Sequence, residues 1–136
     1  MWHTIIIAGN VGRDPEMRYT PSGQAVTSFS VATDASYTGS DGERVKKTVW
    51  FRISAWGKLA ETCSQYLKKG SMVLIEGRMT ADGNGNPRTY QRNDGTTSAS
   101  FEVNANTVRF LSSKGEGSPS SEDIGGGADS SEEIPF

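Results

Sequence analysis

Thr48-Val49-Trp50-Phe51-Arg52-Ile53-Ser54-Ala55-Trp56 alternates with a period of two. Val49, Phe51, Ile53 and Ala55 share one face, and Trp50, Arg52, Ser54 and Trp56 share the other. Strict alternation in a run rich in aromatic and β-branched residues predicts a half-buried strand. The first set suits a core. The second is unusual for a wet face, since two indoles flank a guanidinium. Large exposed aromatics generally have something to touch, and a flat ring beside a cation suits a stacked base with its phosphate close by. Trp is also mostly buried on average, so packing of the indoles under a loop or a subunit is the competing reading of this strand alone.

Working outward, four more strands are expected. His3–Val11 carries Ile5, Ile6 and Ile7, with branched side chains on both faces. Both faces are therefore expected to be covered, one by the core and the other by a neighbouring subunit. Glu16–Tyr19 reads as a short extended piece between turn-rich segments. Ala25–Thr33 sets Thr27, Phe29 and Val31 against Ser28, Ser30 and Ala32, one face apolar and one small and polar. Asp34–Lys47 reads as a polar loop holding Tyr37, with turn signals at Gly39 and Asp41-Gly42. Gly57–Gly70 is the one expected helix. Leu59, Ala60, Cys63, Tyr66 and Leu67 form its apolar stripe, and Lys68-Lys69-Gly70 its stop. Tyr66 and Cys63 are accordingly read as core, and Cys63 as packing rather than a nucleophile.

Ser71–Thr80 is apolar on both faces. Ala81–Thr97 reads as a long hairpin whose arms flank Arg88-Thr89-Tyr90-Gln91-Arg92. In Ala99–Phe110 the residues Phe101, Val103 and Ala105 have one parity, and Val108 and Phe110 the other. A bulge near Asn106 would reconcile them. Five strands with one helix between the third and fourth is the order of an OB-fold, an all-β barrel.

The chain's 136 residues suggest one domain with an appendage. Only 34% are hydrophobic, and the mean hydropathy of -0.53 means that part of the chain stays outside the core. The single cysteine excludes an intrachain disulfide and fits a reducing compartment, here expected to be the cytoplasm. Neither a bilayer-spanning run nor an export signal is read. The net charge of -2 conceals an asymmetry. Residues 1–111 hold 13 Lys+Arg against 10 Asp+Glu, or +3; residues 112–136 hold Lys114 against six acids, or -5. The expected division is an OB-fold domain over 1–111 and a disordered acidic tail over 112–136, with apolar residues returning in a tip at 130–136. A basic domain before an acidic tail is a pattern of proteins that handle polyanions.

Catalytic residues are not expected. No P-loop, H-E-x-x-H or G-x-S-x-G occurs, and His3 is the only histidine. No cofactor or metal is expected either. Asp82, Asn84 and Asn86 resemble the opening of a calcium loop, but Pro87 stands in place of its glycine and Asn93 in place of its bidentate glutamate. The signals that agree are Tyr37, Trp50, Trp56 and Tyr90 on polar faces or loops, with Arg18, Arg44, Lys46, Lys47, Arg52, Lys58, Lys68, Lys69, Arg88 and Arg92 nearby in sequence. Each stacked base contributes roughly 1–3 kcal/mol, so three or four rings would supply about 3–10 kcal/mol before ordering costs. Stacking with few base-edge readers predicts weak sequence preference. On these residues alone an OB-fold RNA binder of cold-shock type and a protein-interaction adaptor stay open as alternatives.

Longer motifs narrow the choice. Ala8-Gly9-Asn10-Val11-Gly12-Arg13-Asp14-Pro15-Glu16-Met17-Arg18-Tyr19, Trp56-Gly57-Lys58-Leu59-Ala60-Glu61, Tyr66-Leu67-Lys68-Lys69-Gly70 and Ile75-Glu76-Gly77-Arg78 closely resemble bacterial single-stranded-DNA-binding proteins, in order. The ending Glu132-Glu133-Ile134-Pro135-Phe136 resembles that family's acidic tip. The resemblance implies a homotetramer of OB-folds wrapping single-stranded DNA. It also implies a tip that recruits replication, recombination and repair proteins, with Phe136 as its anchor. Trp50 and Trp56 match two of the family's stacking positions, the second commonly Phe, and Tyr37 a third, commonly Trp. At the offset of the fourth aromatic this chain has Asn84, and Tyr90, later in the hairpin, is the candidate replacement.

Overall fold

The computed structural model describes residues 1–111; the expected tail and its tip, Glu132, Glu133, Ile134, Pro135 and Phe136, lie outside the described residues. Five long strands close a barrel: β1 (Ile5–Val11), β3 (Ala25–Asp34), β6 (Thr48–Trp56), β7 (Met72–Met79) and β10 (Phe101–Phe110). Among the described residues the one helix, α1 (Lys58–Tyr66), lies between the third and fourth of them, the order of an OB-fold. The hydrogen-bonded order is β1-β7-β10-β6-β3, and β3 returns to β1 through Asn10↔Ala32 and Val11↔Val31. The β6–β10 pairing is parallel, whereas the other four contacts of the ring are antiparallel.

Shorter strands decorate this ring. β2 (Glu16–Tyr19) extends the sheet beyond β3. The segment expected as a polar loop contains the hairpin β4 (Tyr37–Thr38) and β5 (Arg44–Val45), which pairs Tyr37 with Val45. The long hairpin also differs from expectation. Arg88–Arg92 is not flanked by two arms, because Thr89–Gln91 is itself an arm, β8, paired with β9 (Thr97–Ala99). Its turn has Gly95 at φ 85 and the Asp94 carboxylate accepting from Thr96 N, so local Asp-Gly chemistry sets the reversal there. The Asp82 carboxylate is likewise occupied: it accepts from Asn84 N and Asn86 N at 2.9 Å each, which gives the calcium-like run a turn-stabilising use.

The alternating faces appear as the patterns require. Ile53 and Ala55 are fully buried and Val49 and Phe51 half-buried, with Trp50, Arg52 and Trp56 outside. The β10 register skips Asn106: Ala105 pairs with Gly77 and Thr107 with Glu76. That bulge turns Val103, Ala105 and Val108 all inward and so accounts for the parity switch in the middle of the strand, whereas Phe101 and Phe110, at its two ends, are exposed. Closure brings backbones together at Gly77, where an added Cβ would stand 3.0 Å from the Asn104 carbonyl carbon. Only glycine fits so close an approach.

α1 packs against β2, β3, β6 and β10. Thr27, fully buried, donates its hydroxyl to the Ala60 carbonyl at 2.6 Å and fastens the helix to β3. Cys63 is buried as expected, and burial pushes its thiol up to about 11, which keeps it protonated and unreactive. Two expectations for this helix fail. It ends at Tyr66, since Leu67 turns extended (φ -84, ψ 144), so Lys68 and Lys69 lie beyond its last turn. Tyr66 is not core: it is 53% exposed, with its ring 6.2 Å from that of Phe110. The apolar stripe read from the sequence holds at Ala60 and Cys63 and again at Leu67, which is 5% exposed and turns into the core as the helix ends, whereas Tyr66 points outward at the last turn.

Candidate nucleic-acid interface

The candidate interface lies on the outer face of β2, β3, β6 and β10. Register sets the residues in rows. Trp56 lies opposite Val26, which lies opposite Arg18. Ser54 lies between Ser28 and Asn104, and Arg52 between Ser30 and Glu102. Trp50 lies opposite Ala32. Trp50 thus has a small partner across the sheet in Ala32, and Arg52 one in Ser30, whereas Trp56 stands beside the buried Val26. Trp50 is 51% exposed and Trp56 40%. Six residue steps along an extended strand separate them by about 20 Å.

Each indole is held. Trp56 Nε1 donates to Asn104 Oδ1 at 3.1 Å, which satisfies its polar atom and limits rotation of the ring. The benzenoid ring of Trp50 occupies the space where Gly12 has no side chain. Gly12 N in turn donates to Ser30 O at 2.9 Å, tying the end of β1 to β3.

Two grooves adjoin this track. The first is lined by Arg18, Arg52, Arg88, Trp56, Ser28, Ser54, Asn104, Thr80 and Glu102. Three guanidiniums thus face one carboxylate. Glu102 accepts from Thr80 Oγ1 at 3.4 Å and stands 4.0 Å from Arg88 Nε. The second groove, at the Thr48 end of β6, is lined by Arg44, Lys46 and Lys47 with Asn10, Thr33, Asp34 and Ser36. Asp34 lies 3.8 Å from Arg44 Nη2. Hydrogen bonds from the Ser36 hydroxyl and backbone, with Arg44 nearby, hold the Asp34 carboxyl below its usual range. Both grooves are therefore cationic and carry one internal anion each.

Tyr90 joins this face from the β8–β9 hairpin. Its phenol is held below the usual tyrosine range by a hydrogen bond with Ser98, and the Arg92 and Arg52 guanidiniums act in the same direction. Arg92 Nη2 also donates to Ser98 Oγ at 3.0 Å. The hairpin thus brings an exposed ring and another cation toward Arg52. Asn84 is exposed in the Asp82–Asn86 turn. Tyr37 is exposed on the β4–β5 hairpin that carries Arg44.

The fold gathers Arg18, Arg52, Arg88 and Trp56 around one groove and Arg44, Lys46 and Lys47 around the other. Lys58, Lys68 and Lys69 line neither. Lys58 opens α1, and the Lys68–Lys69 turn is bound to the loop after β1, with Lys69 N donating to Asp14 Oδ1 at 2.9 Å. Sequence reasoning missed Gly12, Asn104 and Glu102. The sole cue to Asn104 and Glu102 was the outward parity that they share on β10.

The model of the single-strand binding protein family matches residues 2–111. The single-stranded DNA-binding protein of Neisseria meningitidis serogroup A is 42% identical over 114 residues, 84% of this chain and 62% of that protein. Single-stranded DNA-binding protein 1 of Chlorobaculum tepidum is 52% identical over 75 residues, 55% of this chain and 46% of that protein. The chain thus spans less than two thirds of the length of these curated relatives. Among solved structures, the Plasmodium falciparum SSB complex with ssDNA has the same fold, with a TM-score of 0.67 and 24% identity over 82% of this chain and 97% of that one. With its barrel, its helix and residues 2–111 all following one pattern, the chain belongs to the single-strand binding protein family.

Proposed function

We propose that this chain binds single-stranded DNA with little sequence preference and without catalysing a reaction. Trp50, Trp56, Tyr37 and Tyr90 stack on bases. Arg18, Arg52, Arg88 and Arg92 hold the backbone on one side, and Arg44, Lys46 and Lys47 on the other; Lys58, Lys68 and Lys69 contribute at longer range. The observation that carries this reading is the pair of half-exposed indoles on one strand with Arg52 between them. Bases present a flat face whatever their identity, so a stacking track accepts any sequence. Tyr90, approaching Arg52 on its hairpin, takes the place of the family aromatic that Asn84 lacks.

The assembly is a homotetramer. Ile6, Ala8, Met72 and Leu74 share the outer face of β1 and β7, and Ile6 is 65% exposed in the single chain. Covering that face with further copies supplies enough contour to wrap a strand. The tail over 112–136 carries the tip, in which Phe136 enters a pocket on replication, recombination and repair proteins and Glu132 and Glu133 meet its basic rim.

Titration of tryptophan fluorescence with oligo-dT, followed by competition with RNA of matched sequence, tests the core of the proposal. Strong quenching that RNA reverses poorly is expected. Absence of quenching would leave the barrel a scaffold, and equal competition would point to RNA. Sedimentation with and without the oligonucleotide reports the assembly in the same samples.

A further inference from the structure

We propose that Gly12 is a positioning residue for the Trp50 stacking platform, resting on the single-strand binding just proposed. An ideal Cβ built on Gly12 would stand 2.8 Å from Trp50 Cη2, closer still to Cζ3, and 3.6 Å from Cε3. All three atoms belong to the benzenoid ring. Real Cβ atoms do not come so near, so any side chain at this position must drive the indole away.

The glycine is not there for its backbone. Its φ is not among the positive values, which belong to Gly23, Gly42, Gly57, Gly70, Gly85 and Gly95. Its N–H donates to Ser30 O, a bond that alanine would keep. The requirement comes from the ring. One side of the indole rests against the chain at Gly12 while the ring as a whole stays 51% exposed. Ala32, directly across from Trp50 on β3, is too small to hold the ring from that side. Gly12 therefore acts as a seat that fixes the ring's height and tilt before DNA arrives. A ring already in place loses less freedom when a base stacks on it.

The test is a cycle of four full-length proteins: the natural chain, G12A, W50F and G12A/W50F. Phenylalanine lacks the outer ring atoms that the new methyl would strike. Displacing one stacking ring removes much of one platform's contribution, so G12A is expected to weaken oligo-dT binding roughly tenfold, or about 1.4 kcal/mol. In the W50F background the same change is expected to cost less than about twofold. Fluorine NMR of fluorotryptophan-labelled protein adds a structural readout. Three resonances are expected, one per tryptophan, and G12A should move the Trp50 signal far more than those of Trp2 and Trp56. If G12A lowers stability, thermal melting of the double variant decides the matter, because relief of the clash restores folding.

Unchanged affinity and an unmoved Trp50 resonance in G12A overturn the inference. So does an equal loss in both backgrounds, which would mean that Gly12 acts without the indole. The proposed function stands or falls separately: if W50F and W50A bind as the natural chain does, Trp50 is not a platform and the functional reading is at fault.

Discussion

Replacing Arg52 with alanine should change the salt dependence of DNA binding by a predictable amount. Arg52 lies on the exposed face of β6 between the two indoles and opposite Glu102. Each cation that neutralises a phosphate of a single strand adds about -0.7 to the slope of log K against log salt. Arg18, Arg52, Arg88, Arg44, Lys46 and Lys47 line the two grooves. If all six engaged fully, the slope per subunit would be about -4. Two begin beside a carboxylate, Arg88 at 4.0 Å from Glu102 and Arg44 at 3.8 Å from Asp34. Counting only the other four gives about -2.8. Between these limits, affinity should fall about twentyfold or more when salt rises from about 0.1 M to about 0.3 M. R52A should reduce the magnitude of the slope by about 0.7 while leaving the tryptophan quenching at saturation nearly intact. Fluorescence titration with a short oligo-dT across a salt series measures both. An unchanged slope would show that Arg52 touches no phosphate, and the track along β6 would then have to be redrawn.

Three further outcomes follow from individual contacts. Glu102→Gln removes the carboxylate beside Arg88 and should tighten oligo-dT binding about threefold at low salt, the scale of a partly exposed ion pair; weaker binding would mean that Glu102 itself contacts DNA. Thr27→Val deletes the 2.6 Å hydrogen bond to Ala60 O inside the core and should cost about 1–2 kcal/mol in urea unfolding, with DNA affinity of the folded protein unchanged. Tyr90 has a lowered phenol pKa, so it acquires negative charge at a lower pH than a free tyrosine. A phenolate near Arg52 and Arg92 opposes phosphate. Affinity should therefore decline as pH rises, beginning below the ordinary tyrosine range of about 10, and Y90F should flatten that decline; identical profiles would place Tyr90 away from the DNA.

Much of the fold and part of the candidate site could be read in advance because strands have a period of two. Alternation alone divided Thr48–Trp56 into a core face and a face of indoles with Arg52, and the barrel kept that division. The parity switch in Phe101–Phe110 located the bulge at Asn106 for the same reason. Turn residues separated the five long strands, and their order around one helix named the architecture. The small residues Ser28, Ser30 and Ala32 were visible too, although only the register showed that Ala32 is the one opposite an indole, Trp50. Local pattern reached its limit at the edges of elements. Helical spacing assigned both Tyr66 and Leu67 to the core, but the helix ends at Tyr66 and only the extended Leu67 turns inward, so Tyr66 was misread.

Contacts between residues distant in sequence belonged to the tertiary structure alone. The parallel pairing of β6 with β10 set Asn104 against Trp56 and Glu102 beside Arg52, across 48 positions for the hydrogen-bonded pair. Closure of β1 onto β3 carried Gly12 beneath Trp50. The β8–β9 hairpin brought Tyr90 toward Arg52, and no periodicity in Ala81–Thr97 encodes that lean. Periodicity reports which way a side chain points relative to its own strand; what it meets there is set by strand register and barrel closure, which are collective outcomes of packing the whole core.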